Sequence, residues 1–314
     1  MASLARERNT TLARVRHLVG FGIICETLTE AVARGVIPIF FVKGGVAIEL
    51  RLGLRARATK DLDIGLCAPS EELVTAFDRA LEVGYPGFRL RRRGEARLLD
   101  NGARTFEVRI EHLGRAWATV DVDLAAAASD IVMEDVPTTA LHDVGLGTAR
   151  SVPCLTLTTQ IAQKIHALTE SEPRGRSNTR ARDVLDVLLL MRRLAPPIDE
   201  IRKACARVFS ERGTHEWPVH QFTFPAHWST VIRELAQDVG HKNSDPDEIQ
   251  QEFNRLLARI DGVSLMVAPT AELNARSERR GVKVRRQVSA ASVGNVPPTI
   301  AADGRPSQRS STVA

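Results

Sequence analysis

Two aspartates, Asp61 and Asp63, stand one residue apart in KDLDIGL, a run whose alternation of polar and apolar positions predicts a β-strand. Alternate residues of a strand point to the same side, about 7 Å apart. The two carboxylates therefore share a face and repel each other unless a cation neutralises them. Hard oxygen ligands suit Mg2+, which is usually held by one or two carboxylates together with substrate phosphates. Upstream, FVKGG places Gly44 and Gly45 between a β-rich run, Ile37–Val42, and a predicted helix through Ala47–Leu52. A Gly-Gly turn leading into a helix exposes backbone N–H groups that phosphate oxygens can accept from. Thr59, two residues before Asp61, adds a hydroxyl on the same side.

A second acidic pair occurs in WATVDVDLA, where Asp121 and Asp123 share one strand face and Val120 and Val122 the other. A third carboxylate brought beside Asp61 and Asp63 would complete a two-metal site. There, one ion lowers the pKa of an attacking hydroxyl and the other clamps the leaving oxygens of a triphosphate. Asp121, at the middle of the strand, is the favoured third ligand and Asp123 the alternative; the polar outer face of an edge strand would give the same pattern.

In TTQIAQKIHALTE the stripe Ile161, Ile165, Leu168 marks a buried helix face. Lys164 lies about 60° from its centre by the 100° helical step, so its ammonium should emerge at the edge of the apolar surface. It could bind phosphate there or simply snorkel. In RGRSNTRARDVLDVLLLMRRL, Asn178 or Thr179 can cap a helix. Asp183 and Asp186 fall on one flank of that helix, opposite Val184, Leu188 and Met191. Arg182 could pair with Asp183 or grip a phosphate, whereas acidic residues in a first turn also suit the helix dipole alone.

These residues need elements to carry them. Residues 5–35 have helical spacing, with Gly35 as the stop. A helix is expected at 71–83, followed by strands in FRLRRR, ARLL, TFEVRIEHL and WATVDVDLA. Helices follow at 158–170, 180–194, 199–211, 228–239 and 245–260. The expected organisation is an α/β domain over 1–150, a helical domain over 151–265, and a basic, disordered tail over 266–314 whose composition is too poor in apolar residues to pack.

Of the 314 residues, 43% are apolar and 26% charged, as in a soluble globular protein. The net charge is +5, and the tail alone carries eight basic and three acidic residues, so the body is electrically balanced. No apolar run approaches the roughly 20 residues of a membrane helix, and the N-terminus is too charged for a signal peptide. Cys25, Cys67, Cys154 and Cys205 are scattered and suit a reducing cytoplasm rather than a zinc site.

Together, FVKGG, RARATKDLDI, VDVDL, IAQKIHAL and NTRARDVLDV resemble the AbiEii/AbiGii-type nucleotidyltransferase toxins of the DNA polymerase β-like superfamily, over about residues 10–260. The glycine–aspartate part marks the superfamily, and the lysine and RDxxD segments mark the family. The resemblance implies a polymerase β-like mixed sheet with a helical C-terminal region. It also implies a cytoplasmic, Mg2+-dependent enzyme that uses an NTP, is neutralised by a cognate antitoxin, and modifies the 3′ end of tRNA to block translation. Carried onto this chain, Asp61, Asp63 and Asp121 would bind metal. Gly44, Gly45 and Thr59, with Arg182, would hold the nucleotide, and Lys164 and Asp183 would complete the catalytic set. Two other readings remain. One is the same chemistry on a small-molecule or protein hydroxyl. The other is a non-catalytic nucleotide-binding relative, against which the intact carboxylates and Lys164 argue. A strip of arginines (Arg89, Arg91, Arg92, Arg93, Arg97) offers a surface for an RNA backbone. With aromatics at 4%, no base-stacking platform is evident.

Overall fold

The alternating runs pair into a mixed sheet whose strand order among the described residues is β3-β4-β5-β2-β1-β7-β6. Its strands are β1 Phe40–Val42, β2 Asp61–Leu66, β3 Phe88–Leu98, β4 Arg104–His112, β5 Arg115–Ala126, β6 Met133–Thr138 and β7 Arg150–Leu155. The computed structural model describes residues 1–128, 130–138, 141–147, 150–170 and 177–262. The tail over 266–314, expected to be disordered, lies outside the described residues. The described residues contain no helix long and apolar enough to cross a membrane.

Nine helices are described: α1 Ala2–Glu7, α2 Leu12–Ala33, α3 Gly44–Leu52, α4 Leu73–Val83, α5 Leu157–Thr169, α6 Ala181–Leu194, α7 Ile198–Arg212, α8 Ser229–Asp238 and α9 Pro246–Asp261. Residues 1–265 fall in one compact unit, whose apolar interior forms two clusters. In the first, α2 and α4 cover one face of the sheet, burying Leu62 and Ile64 of β2, Val108 and Ile110 of β4, and Val120, Val122 and Leu124 of β5. The second is built by α5 to α9 around Ile161, Ile165, Val184, Phe209, Trp228 and Phe253. Helix α3 serves both: Val46 and Ala47 enter the first cluster, Ile48 and Leu52 the second.

Several elements differ from the sequence reading. The N-terminal helix breaks into α1 and α2, because Thr11 caps α2 by accepting from the Arg14 N–H at 3.1 Å. The runs FRLRRR and ARLL are one strand, β3, with a register shift against β4 between Arg93 and Arg97. Strands β6 and β7 were not expected. β7 pairs parallel with β1 through Val42 and Cys154, so the strand before the glycine turn is flanked on both sides. Asn178 closes the end of α5 rather than the start of α6. Its amide donates to the carbonyls of Ala167, Leu168 and Glu170 at 3.0, 3.2 and 2.6 Å, and its Oδ1 accepts from the Arg180 N–H.

Gly65 pairs with Phe41 across β1 and β2, on the face that carries Asp61 and Asp63. A Cβ at Gly65 would run into the buried Phe41 ring. Overpacking of this kind costs about 1–3 kcal/mol. Gly65→Ala should therefore lower the urea midpoint, and adding Phe41→Leu should recover part of the loss. Unchanged stability in Gly65→Ala would show that the ring is free to move aside.

Candidate active site

The four strand aspartates form one patch. β2 and β5 are parallel, with Asp61 opposite Asp121 and Asp63 opposite Asp123. Register partners on neighbouring strands share a face, and the opposite face is taken by fully buried Leu62, Ile64, Val120, Val122 and Leu124. Burial raises the Asp63 carboxyl above its ordinary value; Lys43 and Lys164 pull it back, and Asp123 and Asp61 add to the rise. Asp61 is raised by burial, then by Asp123 and Asp121. Asp123 is thus the neighbour whose charge bears on both β2 aspartates. Asp121 is more exposed and sits beside Asp61 on the outer row. β5 is an interior strand, so its acidic face is not an edge.

Beside Asp63 lies the glycine turn. The Lys43 N–H donates to the Asp63 carbonyl at 3.0 Å. Gly44 opens α3 at φ +63°, and a Cβ there would overlap the Asp63 carboxylate. A Cβ at Gly45 would overlap the Thr59 side chain. Both glycines are needed because backbone passes where a side chain cannot. The N-cap residue of α3, Lys43, makes no side-chain hydrogen bond to the first turn. The turn is also held from α5: Gln160 Nε2 donates to the Gly44 carbonyl at 2.6 Å, while Arg51 donates to Gln160 at 2.8 Å and to Glu134 at 2.6 Å.

Lys164 is buried rather than at a surface edge. Its Nζ donates to Asp183 Oδ1 at 2.5 Å and Asp186 Oδ2 at 2.9 Å. Arg57 grips Asp186 with two parallel bonds, both 2.9 Å. Burial alone would discharge the lysine, yet Asp186 and Asp183 hold its pKa above the ordinary value. Likewise, Lys164 and Arg57 hold Asp186 below its ordinary value against burial. Both aspartates of RDVLD are therefore engaged. The cation that approaches Asp183 from its own chain segment is Arg180, at 3.8 Å. Arg182 is exposed and, among the described residues, pairs with neither aspartate.

The donor set fits a hard cation: carboxylate oxygens from two adjacent strands, with open backbone N–H groups alongside for phosphate. Among the described residues, no group of three or more His, Cys, Asp or Glu stands at metal-ligand spacing.

Sequence reasoning missed Arg57, Gln160, Arg51 and Lys43. Their partners lie up to 129 residues away along the chain, and no local spacing pointed to them. It also missed Glu49 of α3. This side chain is buried beside Arg14, whose guanidinium lies 3.5 Å away. Burial pushes the Glu49 carboxyl up to about 7 despite Arg14, a hydrogen bond from the Thr59 N–H, and Arg57.

Residues 27–263 match the family described as "Nucleotidyl transferase AbiEii toxin, Type IV TA system". No curated protein matches the chain. Among solved structures, the MenT4 nucleotidyltransferase toxin of Mycobacterium tuberculosis H37Rv is similar at 16% identity, covering 79% of this chain and 98% of its own, with a TM-score of 0.44. An antigenic nucleotidyltransferase-like protein of Paracoccidioides brasiliensis is similar at 13% identity over 63% and 89% of the two chains, with a TM-score of 0.39. The antibiotic-resistance enzyme ANT(2")-Ia, in complex with adenylyl-2"-tobramycin, is similar at 20% identity over 62% and 99%, with a TM-score of 0.36.

Removing one carboxylate from the buried quartet leaves two cations facing Asp183 alone. Asp186→Asn should destabilise by about 3–5 kcal/mol, read from urea unfolding. A loss below about 1 kcal/mol would mean that water already screens the group. Glu49 gives a pH signature. Its folded pKa is raised, so its contribution to stability is full below the ordinary carboxylate range and lost as pH rises through about 7. Glu49→Gln, neutral throughout, should lose less stability than wild type between about pH 5 and pH 8. Parallel melting curves across that window would remove Glu49 as the titrating group.

Proposed function

The chain belongs to the AbiEii nucleotidyltransferase toxin family of type IV toxin–antitoxin systems, and on that premise we propose that it transfers a nucleotide from an NTP to the 3′-terminal hydroxyl of an RNA, with tRNA as the acceptor and Mg2+ as the cofactor. What supports this reading most is one observation. The Asp61/Asp63 and Asp121/Asp123 pairs share an open sheet face, and a glycine turn with uncapped N–H groups abuts Asp63.

In this mechanism the Asp63 carboxylate, with Asp61 or Asp123 beside it, would hold Mg2+ together with the substrate phosphates, and the ion would neutralise the triphosphate and lower the pKa of the attacking hydroxyl. The N–H groups of Gly44 and Gly45 and the Thr59 hydroxyl take triphosphate oxygens. An ammonium has three donors; Lys164 spends two on Asp183 and Asp186, and the third turns to the phosphates. Asp183 and Asp186 position Lys164, and Arg57 positions Asp186. Asp121, on the outer row, accepts the proton of the acceptor hydroxyl. The acceptor oxygen bonds to the α-phosphorus, the bond to the β-phosphate bridging oxygen breaks, and pyrophosphate leaves. Growth arrest follows from blocked aminoacylation, and a cognate antitoxin relieves it.

The test is incubation of the protein with Mg2+, total tRNA and each labelled NTP in turn. Label should enter tRNA with one NTP preferred. Asp63→Asn should lose at least about a hundredfold in rate, as expected when a metal ligand or electrostatic stabiliser is removed, while its far-UV spectrum stays unchanged. Label appearing instead on a small-molecule or protein hydroxyl would overturn the RNA acceptor and keep the chemistry. A fully active Asp63→Asn would overturn the site.

A further inference from the structure

The open face of the sheet is polarised from acid to base along the direction of the strand pairing. One cross-strand row reads Asp61–Asp121–Glu107–Arg93, and the next reads Asp63–Asp123–Thr105–Arg97. Beyond the first row stand Arg91 and Arg109, which are register partners. The four aspartates thus occupy β2 and β5, and Arg91, Arg93 and Arg97 lie on the outermost strand β3, about 10 Å from β5 at the usual strand spacing, with Thr105, Glu107 and Arg109 of β4 between. Between them runs a groove of about 560 Å³, bordered by Asp61, Asp121 and Asp123 on one side and Arg93, Glu95 and Arg97 on the other.

A bulge creates the second row. Arg93 pairs with Glu107 and Arg97 with Thr105, so four residues of β3 advance against two of β4. Gly94, at φ +73°, takes the left-handed turn this requires. An unbulged strand would have placed Glu95 opposite Thr105, in line with Asp63 and Asp123. The bulge replaces that glutamate with an arginine, a re-aiming that bulges beside active sites commonly perform. Arg97 has no ion pair among the described residues. Arg91 and Arg109 share the single carboxylate of Glu111, at 2.8 and 3.1 Å. Arg93 is 66% exposed and 3.3 Å from Glu107, a pair of the kind worth at most about 1 kcal/mol that a phosphate can displace.

Resting on the nucleotidyltransferase reading with an RNA acceptor, we propose that this arginine column is the acceptor-strand binding surface. In this arrangement the terminal hydroxyl reaches the aspartates while the backbone phosphates behind it lie on Arg97 and Arg93. The bulge at Gly94 sets the distance between the two. Arg92 takes no part, since it points to the covered face and binds Asp78 of α4 at 2.8 Å.

The experiment measures transfer to total tRNA, and binding of total tRNA in Mg2+, as salt is varied, for wild type, Arg97→Ala, Arg97→Lys and Arg93→Ala. Each alanine variant should raise the acceptor KM on the order of tenfold and reduce the slope of log K against log salt by about 0.7 per lost contact with a single strand. The NTP KM should stay at the wild-type value, and Arg97→Lys should keep most of the salt slope. Wild-type salt slopes in both alanine variants, with tRNA still modified, would overturn the surface and leave the RNA acceptor standing. If wild type consumes NTP but modifies no RNA, the acceptor reading and this surface both fall.

Discussion

The register of β2 against β5 decides where the charged groups of the site go. Sliding either strand by one residue would turn its aspartates into the core and its apolar residues to the open face. The like charges opposite one another, Asp61 with Asp121 and Asp63 with Asp123, oppose this register. They repel by a few kcal/mol at most in a partly solvated patch. Burying Leu62, Ile64, Val120, Val122 and Leu124 outweighs that, at about 1.5–3 kcal/mol for each side chain. Helix α2 packs closely on this apolar face at Gly20, where a Cβ would come 3.2 Å from the Val120 side chain. The register is fixed from the buried side, and the carboxylates follow.

Helix α5 supplies the complementary charge. Gln160 and Lys164 are one turn apart and lie on the same face of α5. One holds the Gly44 carbonyl, and the other meets Asp183 and Asp186. A buried ion group of this kind is no efficient source of stability, since desolvation cancels much of the attraction. Its use is positional. Arg57 lies two residues before Thr59, so the bidentate grip on Asp186 also fixes the segment that feeds β2. The same bonds that aim Lys164 align the strand carrying Asp61 and Asp63.

The parts legible in the sequence were those with a local signal. Alternation gave β2 and β5 with their aspartate faces, helical spacing gave α4 to α9 to within two residues, and Gly-Gly marked the turn into α3. The missing parts depend on partners distant along the chain. β6 and β7 carry Pro137 and Pro153 and no clean alternation; they are strands because they pair with each other and because β7 meets β1. The choice among Asp121, Asp123, Asp183 and Asp186 turns on register and helix packing, to which spacing is blind. Lys164 looked like a surface-edge lysine because its stripe is apolar. α6 is buried through the unbroken run Asp183–Leu190, and that leaves no edge for the ammonium to reach.

The glycine turn shows how little of the site is locally stable. α3 has nine residues, too few to hold a helix in water on their own, and it begins with two glycines that each cost about 1 kcal/mol relative to alanine. Gly44 also sits at positive φ. At Gly44 alanine would be strained by that φ and would collide with Asp63; at Gly45 it would suit the helix but collide with Thr59, so the turn keeps both glycines. The helix persists because Val46 and Ala47 are locked into the sheet cluster while Ile48 and Leu52 are locked into the helical one. The N-terminus of α3 is therefore held in place by apolar contacts on both sides of it, and the glycine turn depends on packing rather than on helix propensity.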